Sequence, residues 1–398
     1  MVALPDRQLW WLGLDPKRVT NELHRRGIQS GTYGLDVKPS AAATREWRAS
    51  WNDALKYAVA IECEAVGPRV LEENPSVVAA WRAKIMQTAG AIEKALDDMA
   101  PDLVVLVQGY EPANAIARSW ALSNGCRLLA LENTALKNRM LWDDVSGITT
   151  NRSLAANYFW RYESLITASE EERFRQTVLG SVRSFKSGEH AGPHAPVAKP
   201  IDQPYVLFLG QVYTDSSVVF GLAEWSEPIQ IISKLAEWCS QRGYRLVIKL
   251  HPKEAQGKDP VLGRPYHQLT FRKIRETPGL MERLALHGVV IDSENSLDTY
   301  DLIEKSAFAV TINSQAGLEA AMIGKAVVVC GRCFYGGLGF TLDAPSPSLL
   351  PVRLEQAVEG VDANAAVQFG LIFYEKYCVE KSEDGLIRLV EARMGPKL

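Results

Sequence analysis

Asn313 and Ser314 lie between an apolar run, Ala307 to Ile312, and a helical pattern that begins at Gln315. At such a turn one of the two caps the helix, its side-chain oxygen accepting from an orphan backbone N–H. The remaining N–H groups and the positive end of the helix dipole then form a site for phosphate. Gly317, one turn in, lets a ligand or a neighbouring backbone approach closely. A second loop of this kind is Lys249-Leu250-His251-Pro252-Lys253. Proline fixes the backbone after the histidine and stops the strand. His251 there can donate to a leaving phosphate, or it can be a plain strand-end histidine.

A third polar loop, Gly210-Gln211-Val212-Tyr213-Thr214-Asp215-Ser216-Ser217, follows the apolar run Tyr205–Leu209. Asp215 in it is a nucleophile or general base, or it caps the next helix. Asp292 to Ser296 ends another run and can hydrogen-bond a base or ribose; it reads equally as a helix start. Phe334-Tyr335-Gly336-Gly337-Leu338-Gly339-Phe340-Thr341 has the composition of a loop over a bound sugar or nucleotide. Lys253 and Arg332 can pair with an anionic donor, although isolated cations are usually surface residues. In the first half, Glu132 follows a strand-like run and suits a base for an acceptor hydroxyl. Gln108 and Asn114 occupy the neighbouring strand end. Cys330 and Cys333 have redox or zinc spacing, but no second pair accompanies them. The acidic pairs Asp97-Asp98 and Asp143-Asp144 do not form the Asp-x-Asp of a strand end, so no metal or other cofactor is expected.

The elements that must hold these residues alternate strand and helix. In the first half, Gln8–Gly13 reads as a short strand and Pro16–Gly27 as a helix. Pro75–Met99 is a long amphipathic helix, Asp102–Gln108 a buried strand, Glu111–Ser123 a helix and Cys126–Leu131 the next strand. Asn151–Phe185 is largely helical. In the second half the strands are Tyr205–Leu209, Arg245–Leu250, Gly288–Ile291, Ala307–Ile312 and Ala326–Cys330, separated by helical stretches. This rhythm predicts parallel sheets covered on both faces. The Pro-, Gly- and His-rich stretch after Ser187 marks a linker. The expected organisation is therefore residues 1–190 as an N-terminal acceptor-side domain, 191–204 as linker, 205–375 as a donor-nucleotide domain, and 376–398 as a C-terminal helix packing back. Two doubly wound Rossmann-like domains facing a cleft make an α/β fold of the GT-B type.

Composition narrows the function. The 398 residues are 47% hydrophobic and 23% charged, with a net charge of -3, which gives no electrostatic signature of nucleic-acid binding. No apolar run has membrane-spanning length. Met1 to Leu14 lacks the features of a signal peptide, and six scattered cysteines suit reduced thiols. The expected location is the cytoplasm, including the cytoplasmic face of the inner membrane, where other domains or proteins would hold the chain.

In order, Gln211…Asp215, Lys249-Leu250-His251-Pro252, Asp292…Ser296…Tyr300, Asn313-Ser314…Gly317-Leu318-Glu319-Ala320, Gly324-Lys325 and Phe334-Tyr335…Gly339-Phe340-Thr341 form a pattern. It resembles the bacterial capsule polysaccharide biosynthesis family, whose members include β-Kdo glycosyltransferases of capsule linkers and O-antigens. The resemblance is strong over residues 205–345 and looser over 102–150. It implies a GT-B fold, CMP-β-Kdo as donor and retention of configuration. Asp215 matches the family's essential aspartate, His251 the histidine at the donor phosphate, and Glu132 the acceptor-side carboxylate. Gln211, Lys253, Asp292, Ser296, Asn313, Ser314, Gly317, Glu319, Arg332, Tyr335 and Thr341 fall on the donor side, and Gln108 and Asn114 on the acceptor side. The implied partners are CMP-Kdo and a lipid-linked glycan acceptor of lipopolysaccharide O-antigen or capsule. Two other functions stay open on the sequence: another cytidine-nucleotide transferase, for sialic acid or glycerol phosphate, and a non-catalytic polysaccharide-binding or export component.

Overall fold

A computed structural model of the protein describes residues 1–5, 8–33, 46–145, 153–180, 201, 203–362 and 364–395. Most of the linker expected at 191–204 lies outside these residues, as do both ends of the helical stretch expected over Asn151–Phe185. The chain forms two compact units. The first takes Met1–Cys63, Arg69–Leu154 and Tyr374–Leu398; the second takes Glu64–Pro68 and Ala155–Phe373. Residues 155–180 thus belong to the second unit and not to the N-terminal domain in which the sequence reading put them. The cause is packing: Phe159 lies against Phe369, and Gln368 donates to Glu171 at 2.7 Å. The segment from Tyr374 onward belongs to the first unit, the short Glu64–Pro68 to the second.

The first unit's strands are β1 (Val2–Pro5), β2 (Ser30–Tyr33), β3 (Leu103–Val107), β4 (Arg127–Asn133), β5 (Arg139–Asp143) and β12 (Val379–Glu380). Their order is β12-β5-β4-β3-β1-β2. β1 to β4 pair in parallel, and β3 is buried along its whole length, as a strand covered on both faces must be. β5 and β12 pair antiparallel at one edge, a departure from the all-parallel expectation. The turn from Asn133 to Arg139 is too short for the crossover that a parallel return needs. The expected strand Gln8–Gly13 is a 3-10 turn, Gln8–Leu12. Its Leu9 and Leu12 are buried while Trp10 and Trp11 face outward, a three-residue repeat that matches 3-10 geometry and not the two-residue repeat of a strand.

The second unit's strands are β6 (Tyr205–Leu209), β7 (Arg245–Lys249), β8 (Val290–Asp292), β9 (Phe308–Thr311), β10 (Val327–Val329) and β11 (Leu342–Asp343). All are parallel, in the order β11-β10-β9-β6-β7-β8. Ile231, Ile232 and Leu235 of the helix Pro228–Arg242 share one core with Val206, Phe208, Leu246 and Ile248. Register sets the functional edge. Leu209 is level with Lys249 and Thr311, Lys249 with Asp292, and Thr311 with Val329. Gln211, His251 and Asn313 are therefore each two residues beyond one straight row of strand ends. Among the described residues no helix is long and apolar enough to cross a membrane.

Candidate active site

The carboxyl edge of a parallel sheet is where loops collect free N–H groups and polar side chains, and the second unit builds its edge from the loops after β6, β7, β8, β9 and β10. Asp215 ends the loop after β6 and caps the helix Ser216–Gly221, its Oδ1 accepting from the Ser217 N–H at 2.8 Å. The side chain is half-buried, and its Oδ2 makes no hydrogen bond among the described residues. The cap thus uses one oxygen of the carboxylate and leaves the other without a hydrogen bond among the described residues. His251 ends the loop after β7 and caps the helix Pro252–Gln256, its Nδ1 accepting from the Lys253 N–H at 3.1 Å. With Nδ1 occupied as acceptor, the neutral ring carries its proton on Nε2. The tautomer that can donate to a phosphate oxygen is set by the backbone.

The loop carrying Asp215 is pinned on two sides. Gln211 and Asn313 grip each other: the Asn313 N–H donates to Gln211 Oε1 at 3.0 Å, and Gln211 Nε2 donates to Asn313 Oδ1 at 2.6 Å. Gln211 Nε2 also reaches Ser217 Oγ, while Asn313 Nδ2 donates to the carbonyls of Ser217 and Arg332. These two amides hold three loops together, which is a different task from the donor contact expected of them. On the other side, buried Glu254 accepts from the Tyr213 N–H at 2.8 Å, from the Thr270 N–H at 2.9 Å and from Thr270 Oγ1 at 2.7 Å. Burial raises its carboxyl above the ordinary range, against the pull of those donors. Gly210 is required between the pins, because a Cβ there would stand 2.9 Å from the Lys249 carbonyl oxygen.

Ser314, and not Asn313, caps the helix Gln315–Met322, its Oγ accepting from the Ala316 N–H at 3.2 Å. The close approach at Gly317 is made by the Tyr335 hydroxyl and Thr311 Cγ2, so this glycine seats a side chain and no ligand is needed to explain it. Tyr335 is buried and donates to the Ser314 carbonyl at 2.5 Å. The aromatic loop around it folds inward: Phe334 stacks on Phe373, and Phe340 packs on Phe369. That placement replaces the expected lid over a sugar. Glu319 is buried against the Tyr300 hydroxyl, and Thr341 donates to Asp343 at 2.9 Å. Arg332 and Lys253 are exposed on the same edge.

Asp292 and Ser296 close on themselves and on Lys249. Asp292 accepts from Lys249 Nζ at 2.6 Å, from the Ser296 N–H and hydroxyl at 2.8 and 2.9 Å, and from the Leu297 N–H at 3.0 Å. Lys249 also donates to Asn295 at 2.5 Å. Burial alone would raise the Asp292 carboxyl, but the Lys249 ammonium and two backbone N–H groups hold it below the usual carboxylate range. Burial draws the ammonium down in turn, opposed by Asp292. Lys249 and Ser217 fall in loops that the sequence marks, but their contacts with Asp292 and with Gln211 and Asn313 do not show there, and nothing in local spacing marks Glu254 as the acceptor of three distant donors.

In the first unit the corresponding edge holds Gln108 and Glu132. Gln108 has φ +61°, its N–H donates to the Leu131 carbonyl at 2.9 Å, and its Nε2 lies 3.4 Å from Glu132 Oε1. Asn114 is fully buried between Tyr33 and Glu111 and serves the interior of the unit, unlike the acceptor contact expected of it. Glu111 caps the helix Pro112–Ser123, and burial raises its carboxyl.

Two Rossmann-like units in one chain make this an α/β protein of the GT-B fold class. The family model for capsule polysaccharide biosynthesis proteins matches residues 147–365, and the chain belongs to that family. Among solved structures it is similar to Thermosulfurimonas dismutans KpsC, beta Kdo 2,4 transferase, at 18% identity and TM-score 0.50, covering 73% of this chain and 87% of that one. It is also similar to the beta Kdo 2,7 transferase of the same KpsC, at 16% identity and TM-score 0.44, covering 76% and 89%. A further match is Methanocaldococcus jannaschii UDP-GlcNAc 2-epimerase in complex with UDP-GlcNAc and UDP, at 12% identity and TM-score 0.37, covering 94% and 98%. A search of curated protein sequences finds no significant match.

Proposed function

We propose that this protein is a retaining glycosyltransferase that moves Kdo from CMP-β-Kdo to a sugar acceptor of a bacterial surface polysaccharide. The observation that carries the proposal is the pinned Asp215 loop, which sets a half-buried carboxylate at the same strand edge as the Nε2–H tautomer of His251 and the Ser314-capped helix start. Membership of the capsule family supports the pathway, and the residue types fit the chemistry.

In this reading Asp215 Oδ2 attacks the anomeric carbon as its bond to the CMP phosphate breaks. His251 Nε2–H and the N-terminus of the helix Gln315–Met322 stabilise the departing phosphate. The product of this step is a glycosyl ester on Asp215, with configuration inverted. The acceptor hydroxyl then attacks the same carbon, the ester bond breaks, and Asp215 is restored as a carboxylate. The hydroxyl proton passes to a carboxylate, for which Glu132 is the candidate. Two inversions give net retention, as in retaining glycosidases. Lys253 and Arg332 are available for the sugar carboxylate. No step calls for a metal. The acceptor is lipid-linked in this reading, and the chain works at the cytoplasmic face of the inner membrane.

The test is incubation of the purified protein with CMP-Kdo and oligosaccharide acceptors, together with thermal-shift assays against CMP, CDP and UDP. The proposal expects stabilisation by CMP and release of CMP with transfer of Kdo. No stabilisation by CMP, and no transfer to any acceptor, defeats it. Transfer from CMP-sialic acid in place of CMP-Kdo would move the assignment to that donor.

A further inference from the structure

We infer that Trp10 and Trp11 form a sugar-stacking subsite for the glycan acceptor, built into the first unit. The inference rests on the glycosyltransferase reading above and extends it to a surface that no motif marked. The 3-10 turn Gln8–Leu12 follows the carboxyl end of β1 and packs against β3. Leu9 and Leu12 bury its inner side, while Trp10 and Trp11 are 57% and 44% exposed. The turn is locked by bonds from the Gly13 N–H to the Trp10 carbonyl at 2.9 Å and from the Leu14 N–H to the Leu9 carbonyl at 3.1 Å. Asn133 Nδ2 then donates to the Trp11 carbonyl at 3.1 Å. Asn133 is the last residue of β4 and follows Glu132 directly. Its Oδ1 accepts from Lys381 Nζ at 3.0 Å, which fixes the amide's orientation. Two indoles are thereby held beside the strand end that carries the acceptor-side carboxylate.

Leaving two adjacent indoles in water is unfavourable, and ordered exposed aromatics mark contact surfaces. An indole offers a flat apolar face and one N–H donor. A pyranose offers the complement, an apolar C–H face rimmed by hydroxyls. A membrane surface fits less well. The exposed positions of the adjoining helix Pro16–Arg25 are charged or polar rather than apolar. Its Arg18 and Arg25, with Arg26 just beyond, pair with Asp15, Glu22 and Glu391, which leaves Lys17 as its one exposed lysine, whereas membrane-binding helices combine an apolar face with several unpaired cations.

The experiment applies the full chain to an array of bacterial surface oligosaccharides and to vesicles of anionic phospholipid, and reads the CMP-induced thermal shift in parallel. Wild type is expected to bind glycans on the array. Trp10→Ala with Trp11→Ala should bind them about tenfold more weakly or worse. A second polar pair, Trp10→Gln with Trp11→Gln, should lose binding likewise, and Trp10→Phe with Trp11→Phe should recover most of it. The CMP shift should be the same in all of them, which certifies the second unit, while recovery in the Phe pair certifies the turn in the first. The inference is overturned if wild type binds no glycan, if the Ala and Gln pairs bind as wild type does, or if their loss is confined to vesicles of anionic phospholipid. Absence of any CMP shift in wild type counts against the donor reading alone, so the two failures are distinguishable.

Discussion

At the scale of single residues, the cap that Asp215 forms and the nucleophilic role proposed for it can be separated by substitution. As a helix cap it is replaceable by asparagine with little loss, because the two are equivalent at that position. As a nucleophile it is not replaceable by an amide. Asp215→Asn should therefore keep wild-type stability within about 0.5 kcal/mol, while Asp215→Ala loses about 1 kcal/mol with the cap. Both should lose transfer, and chemical denaturation alongside a CMP-release assay checks the pair. The Lys249–Asp292 ion pair makes a different prediction. Removing one partner of a buried pair leaves the other uncompensated, so Asp292→Asn should cost about 3–5 kcal/mol at neutral pH. The folded-state carboxyl of Asp292 lies below its unfolded value. Its contribution is thus present above the unfolded carboxylate value and lost as pH falls through the folded one. The gap between wild type and Asp292→Asn should narrow as pH drops below about 4, as urea denaturation over a pH series would show.

At the scale of elements, the candidate site is a set of loops clamped to one another by side-chain hydrogen bonds. Glu254 joins the helix Pro252–Gln256 to the loop of Tyr213 and to Thr270, at the start of the helix Leu269–Glu276. Glu254→Ala strands three buried donors, and should destabilise the second unit by about 2–4 kcal/mol and lower transfer although no substrate contact is lost. A variant with unchanged urea midpoint would contradict the clamp. The strands that carry these loops were legible in the sequence. Tyr205–Leu209 agrees with its expected limits, and the helix expected over Glu111–Ser123 is found over Pro112–Ser123, because apolar runs and a proline start are local signals. The Gln8–Leu12 turn was not, since Leu-Trp-Trp-Leu reads as an apolar run whether two or four of its residues are buried. Nor could sequence show that Gln211 and Asn313, 102 positions apart, use their amides on each other. The loops that form the edge were visible; which of their side chains face one another is a tertiary fact.

At the scale of the whole molecule, the two units are interwoven in sequence though each has its own sheet. The last segment completes the first unit: β12 pairs with β5, and Arg127 donates to the carbonyls of Arg393 and Gly395 at 2.6 and 3.0 Å. Removing the residues from Tyr374 onward exposes the β5 edge and takes away the helix Glu383–Met394, whose Leu386, Ile387 and Val390 are buried in the intact unit. Hydrogen exchange should then show lost protection across β3, β4 and β5, with β6, β7 and β9 much less affected. Equal loss in both sheets, or none in the first, would contradict this division. Binding of CMP as proposed should act by linkage on the second unit, CMP at a hundred times its dissociation constant adding about 2.7 kcal/mol to its stability.

The central claim is that Asp215 takes the sugar covalently. The most direct measurement is mass spectrometry of the intact protein after incubation with CMP-Kdo without acceptor, followed by mapping of any adduct. One Kdo adduct is expected on the peptide that contains Asp215 in wild type, and none in Asp215→Asn. Undiminished transfer by Asp215→Asn, or an adduct mapped to another residue, would contradict it.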